Sequence, residues 1–130
     1  MSILFGRANF KFVRGTRWDD NVTLTEQSTG EPVDLTGITG MTMRLRETID
    51  DEDVLMELTV AGGKLVIVDA AAGEMGIRVN SATTWAMPEN NHEKARYVYD
   101  AVIERSSGEY EAAIGGTVTV LPQITRPLGD

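Results

Sequence analysis

The chain has no cysteine and a single histidine, His92, among its 130 residues. Without thiols there is no disulfide framework, no thiolate metal site and no cysteine nucleophile. One imidazole also leaves a zinc site short of nitrogen ligands. Zero cysteine is compatible with a reducing compartment. Long apolar runs are missing too: none approaches the roughly 18–20 residues needed to cross a bilayer. The opening stretch Met1-Ser2-Ile3-Leu4-Phe5-Gly6-Arg7 has too few apolar residues for a signal peptide. The expectation is a protein without membrane association, made and used without Sec export. Positive charge is scarce, with 12 basic against 20 acidic groups and a formal net charge of −8. The basic residues are scattered from Arg7 to Arg126 without a cluster. Nucleic-acid backbones are bound by positive patches, so a nucleic-acid partner is not expected. Aromatic side chains make up only 6% of the chain, which leaves the core to aliphatic residues and methionine.

What is present is period-two alternation, repeated at short intervals. Met41, Met43 and Leu45 alternate with Thr42, Arg44 and Arg46. In Asp53–Val60 the apolar set is Val54, Met56, Leu58 and Val60, and in the next such run Met75, Ile77 and Val79 alternate with Gly76, Arg78 and Asn80. A later run sets Ile114, Val118 and Val120 against Thr117 and Thr119. Shorter strands are expected at Asn9–Val13, Asp20–Thr25 and Lys64–Val68, and a long apolar-rich one at Arg96–Arg105. Glycine-bearing turns separate them at Ser28–Pro32, Ala61–Gly63, Ala71–Gly73 and Ser106–Gly108. Only Asp69–Gly73 and Ser81–Met87 suggest helical turns, the latter capped by Ser81 and stopped by Pro88. Short strands with half-polar faces and no alternation with helices predict an all-β fold: an antiparallel Ig-like sandwich or flattened barrel of about eight strands. A chain of this length makes one domain. Residues 1–9 read as an N-terminal arm, 10–126 as the sandwich and 127–130 as a tail.

No residue pattern demands catalysis. His92 lies in the polar stretch Glu89–Lys94, a solvated loop rather than a triad. Asp50-Asp51-Glu52-Asp53 offers carboxylates but lacks the glycine and spacing of a calcium loop. Paired acids for glycoside hydrolysis need aromatic sugar platforms, and Trp18 and Trp85 supply little. Gly62-Gly63 and Gly115-Gly116 precede no helix, so they read as turns or bulges rather than phosphate cradles. Asp34 is placed to bond backbone amides two or three residues on and fix a turn. Asp100 sits inside an apolar strand, and if its side chain points inward it needs an amide or arginine partner. Trp18, Tyr97 and Tyr99 read as core or corner aromatics. The expectation is no enzyme, no cofactor and no metal.

Several elements form an ordered set: Gly15-Thr16-Arg17-Trp18, Gly30-Glu31-Pro32-Val33-Asp34-Leu35-Thr36-Gly37, and the strand Met41–Arg46. They continue with Gly63–Gly73, Tyr97-Val98-Tyr99-Asp100, Ser107-Gly108, Gly116–Val120 and a closing Ile124-Thr125-Arg126. This pattern resembles a family of small tailed-bacteriophage virion proteins and is similar to the N-terminal domain of phage baseplate upper proteins. It covers about residues 10–127. The family's early acidic residue is absent after Gly15, where Asp19 and Asp20 follow Trp18 instead. The loop Pro88–Lys94 is longer than usual, a candidate added contact surface.

The resemblance implies a structural part of a virion, at the tail or baseplate, collar or capsid surface. Such a part acts by docking to other phage structural proteins, as a homo-oligomer in the particle, after synthesis in the bacterial host cytoplasm. Because the chain ends soon after Arg126, it matches the anchoring module without a distal domain. The expected docking arm is Ile3, Leu4 and Phe5, whose own short segment has no core to join. The alternative expectation is a carbohydrate- or calcium-binding sandwich at a host-facing surface, using Trp85 or Asp50–Asp53.

Overall fold

A computed structural model of the chain describes residues 6–26, 28–87 and 95–122. Alternating apolar residues bury one face of a strand and leave the other to solvent, and here that pattern resolves into nine strands among the described residues. They are β1 (Gly6–Arg7), β2 (Phe10–Val13), β3 (Trp18–Thr23), β4 (Gly40–Arg46), β5 (Met56–Thr59), β6 (Leu65–Asp69), β7 (Glu74–Val79), β8 (Ala95–Glu104) and β9 (Tyr110–Leu121). One short helix, α1 (Ser81–Trp85), follows β7. The large sheet has the order β1-β9-β8-β4-β5, with β2 also on β9, and the small sheet the order β3-β7-β6. The molecule is a two-sheet β-sandwich.

The inward faces supply one apolar cluster: Met41, Met43, Leu45, Leu58, Ala101, Ile103 and Val118 from the large sheet, with Trp18, Leu65, Met75, Ile77 and Val79 from the small one. Each fully buried aliphatic side chain contributes about 1.5–3 kcal/mol relative to exposure. Aromatic contacts tie the layers together. Phe12 stacks on Trp18 with ring centres 4.7 Å apart, and Phe10 lies 6.0 Å from Trp18 and 5.6 Å from Tyr99. The Trp18 indole donates to Asp20 at 2.8 Å, so burying the ring leaves no unpaired N–H.

The structure departs from the sequence reading in five places. The expected antiparallel order fails at the N-terminus: β1 and β2 both run parallel to β9. Gly6–Arg7 thus joins the sheet from within the segment read as an arm. Gly115-Gly116 is neither turn nor bulge but lies inside β9, where Gly116 (φ +156°) lets the N-terminal chain pass; a Cβ there would stand 2.3 Å from the Ala8 carbonyl oxygen. The β8–β9 register slips instead between Ala101 and Val102. The strand expected from Asp53 begins at Met56, because Asp51 accepts the Asp53 amide at 2.9 Å and turns the chain; Val54 is left exposed. The cap of α1 is Asn80 rather than Ser81, its extended backbone directing the side chain to the Thr83 amide at 2.8 Å. Of the helical turn expected over Asp69–Gly73, Asp69 ends β6 and Ala70–Gly73 is a turn, with the Gly73 amide bonded to the Ala70 carbonyl at 3.2 Å.

The short helix is anchored to the β2–β3 turn. Thr84, fully buried, donates to the Thr16 carbonyl at 2.7 Å and accepts from the Gly15 amide at 3.0 Å. Arg14 donates to the Met87 carbonyl at 2.8 Å and lies 3.9 Å over the centre of the Trp85 ring.

Candidate functional site

Parity builds the outer face of the large sheet. Because Met41, Met43 and Leu45 point inward, Thr42, Arg44 and Arg46 of β4 point out. On β8 the inward set is Tyr97, Tyr99, Ala101 and Ile103, which puts Val98, Asp100, Val102 and Glu104 outside. Cross-strand register then fixes the neighbours. Glu57, Arg44, Asp100 and Gly115 form one row across β5, β4, β8 and β9. Thr59, Thr42, Val102 and Ala112 form the next, and Arg46, Val98 and Thr117 flank the charged row on its other side.

Two adjoining hollows of about 370 and 380 Å³ lie on this face, and both are bordered by Arg44, Arg46 and Asp100. Gly115, buried, lines one hollow and Gly40 the other, and neither contributes a side chain to fill it. Ile49, 84% exposed, stands at the rim of one, and Tyr110, 68% exposed, at the rim of the other. Arg44 donates to Glu57 at 2.7 Å across an exposed pair. Glu104 accepts from the Thr39 hydroxyl at 2.9 Å. The Tyr110 hydroxyl, followed by that of Thr39, holds the Glu104 carboxyl below its usual range, and the same contact with Glu104 raises the Tyr110 phenol. Chemically, the face offers both charges, hydroxyl donors and exposed apolar rims on a rigid sheet.

Asp34 and Asp100 are not brought together. Asp34 is exposed, and its carboxylate accepts the Thr36 amide at 2.9 Å. Bonds from the Thr36 side chain and amide, with the nearby Arg105 guanidinium, lower its pKa. Arg105 also donates to the Asp34 carbonyl at 2.8 Å and to Glu111, clamping this turn to the β8–β9 hairpin. Asp100 does not point inward: the tyrosines on either side of Val98 take the core positions, and parity turns the carboxylate out into the hollows. The arm residues Ile3, Leu4 and Phe5, and His92 with its loop Pro88–Lys94, lie outside the described residues.

Among the described residues no three histidine or acidic side chains converge on one point, Asp50–Asp53 included. One face of Trp85 is covered by Arg14. Trp18, Tyr97 and Tyr99 are buried. Asp19 pairs with Arg17 at 2.7 Å and Asp20 with the Trp18 indole, so both side chains are engaged within Arg17–Asp20. Sequence reasoning missed Ile49, Val98, Val102 and Tyr110 as surface residues. The polar Arg96, Asp100 and Glu104, which share the valines' parity, were the signal for them; nothing in the periodicity marked Ile49 or Tyr110.

No family model and no curated protein matches the chain. Among solved structures the chain is similar to murine CRIg, at 8% identity over 95% of both chains with a TM-score of 0.36. It is also similar to extracellular domains 3–5 of Drosophila OTK, at 14% identity over 92% of this chain and 33% of that one, with a TM-score of 0.32. The collagen-binding subdomain of the Enterococcus faecalis surface protein ACE is similar at 14% identity, over 81% of this chain and 86% of that one, with a TM-score of 0.27.

Proposed function

We propose that the chain is a non-catalytic structural component of a bacteriophage virion, acting by protein–protein docking at the tail or baseplate, the collar or the capsid surface. The observation that carries the docking reading is the outer face of the large sheet. There Ile49 and Tyr110, both exposed, flank a row of charged side chains held by strand pairing. Tyrosine and arginine are among the side chains enriched in protein interfaces, and Tyr110 and Arg44 both lie on this face. The virion assignment is supported by the ordered sequence elements from Gly15 to Arg126, which resemble those of the baseplate family. In the fold these elements do structural work: Asp34 fixes a turn, and Tyr97 and Tyr99 fill the core. Mass spectrometry of gradient-purified particles from a host carrying the gene tests the proposal. The chain should appear in fixed ratio to the other particle proteins, and its absence from intact particles would overturn the assignment.

A further inference from the structure

The docking face is complementary to itself. Consider a two-fold axis lying parallel to the strands, above the line between β4 and β8. It sets β4 of one copy over β8 of the other and β5 over β9, without shifting position along the strands. The central row, Glu57-Arg44-Asp100-Gly115, then meets its own reverse. Arg44 stands over Asp100 of the second copy and Asp100 over its Arg44. Glu57 falls over Gly115, which carries no side chain. One row away the small set Thr59-Thr42-Val102-Ala112 meets itself reversed, and at the end of β4 Glu104 falls over Gly40. Long side chains thus oppose glycine and opposite charges oppose each other, which is what an isologous contact requires. Asp100 has no ion-pair partner among the described residues, so its charge remains available for such a contact. Arg44 bonds Glu57 through Nε alone, which leaves its other guanidinium N–H groups to meet Asp100 of the second copy.

We infer that the outer face of the large sheet binds a second copy of this chain, sheet against sheet, with reciprocal Arg44–Asp100 pairs at its centre. The inference rests on the docking reading of this face. β4 over β8 matches seven residues and β5 over β9 four, so strands about 4.8 Å apart offer roughly 350 Å² per copy, below a stable interface and in the range of a weak, transient one. The pairing is therefore reversible and concentration-dependent.

Sedimentation of the full-length chain over a concentration series tests it. The parent should pass from monomer to dimer. Asp100→Arg places arginine opposite Arg44 and should abolish the dimer, whereas Arg44→Asp combined with Asp100→Arg restores opposite charges and should recover it. Both positions are exposed, and circular dichroism of each variant confirms that the fold is kept. A parent that stays monomeric throughout, or a double variant no better than Asp100→Arg, would overturn the inference. Particle mass spectrometry is independent of this result, so failure of the self-pairing leaves the virion proposal standing, and failure of the virion proposal leaves the dimer measurable.

Discussion

The Tyr99 hydroxyl donates to the Ala8 carbonyl at 2.6 Å, joining residues 91 positions apart. Tyr99 points inward from β8, and its ring also meets Phe10. The bond fastens the chain between β1 and β2 just where it passes Gly116. Tyr99→Phe keeps the ring and deletes the bond, leaving the Ala8 carbonyl without this donor. The loss should be about 1–2 kcal/mol, read as a lower denaturant midpoint at unchanged slope. A variant as stable as the parent would show that this tether contributes nothing.

The same phenol makes stability depend on alkaline pH. Burial raises the Tyr99 pKa above its ordinary value of 10.0. The folded chain therefore keeps a proton that the unfolded chain releases. Its contribution is complete below pH 10 and declines as pH rises from there toward the folded group's value. Denaturant titrations at increasing alkaline pH should show this decline, with a shallower slope in Tyr99→Phe. Equal slopes in the two proteins would refute the assignment.

The sandwich was legible wherever one strand face is buried, because only then does period two appear in the chain. Met41, Met43 and Leu45, and Met75, Ile77 and Val79, are all buried as their alternation requires. The direction of Asp100 was left open although the same parity runs through β8; the apolar outer residues Val98 and Val102 disguised its two faces. The charged row was out of reach for a different reason. It exists only because β4 pairs with β8 across some 55 residues, and strand partners leave no mark in local periodicity. The parallel pairing of β1 and β2 is equally non-local, and it depends on one glycine in β9.

That glycine gives a sharp test. In Gly116→Ala the new Cβ would lie 2.3 Å from the Ala8 oxygen and 2.8 Å from the Asn9 side-chain oxygen. Asn9 itself accepts from the Thr117 amide and hydroxyl, both at 3.1 Å, so it cannot withdraw freely. The substitution should cost about 2–3 kcal/mol through displacement of the N-terminal segment and backbone strain. Gly40→Ala is the control: its Cβ meets nothing nearer than 3.8 Å. Thermal unfolding of the two variants should separate them clearly, and equal effects would refute the close-passage account.

Thr84 is the fully buried polar side chain that couples α1 to the β2–β3 turn. Thr84→Val preserves its shape but strips a donor from the Thr16 carbonyl and an acceptor from the Gly15 amide. Leaving such groups unpaired costs about 1–3 kcal/mol. Thr84→Ser keeps the hydroxyl and should lose less. If valine is tolerated as well as serine, packing rather than hydrogen bonding holds the helix.

Salt should strengthen self-association rather than weaken it. Each copy carries a formal charge of −8, so two approaching copies repel over the Debye length, about 30 Å at 0.01 M salt and about 8 Å at 0.15 M. The Arg44–Asp100 pairs proposed at the contact act at much shorter range and, once covered, are screened less. Raising ionic strength across this interval removes the long-range repulsion first. Light scattering or sedimentation at fixed protein concentration should therefore show a larger dimer fraction at 0.15 M than at about 0.01 M. A dimer fraction that falls with salt would mean that the local ion pairs outweigh the net charge, and an unchanged one that charge governs neither approach nor contact.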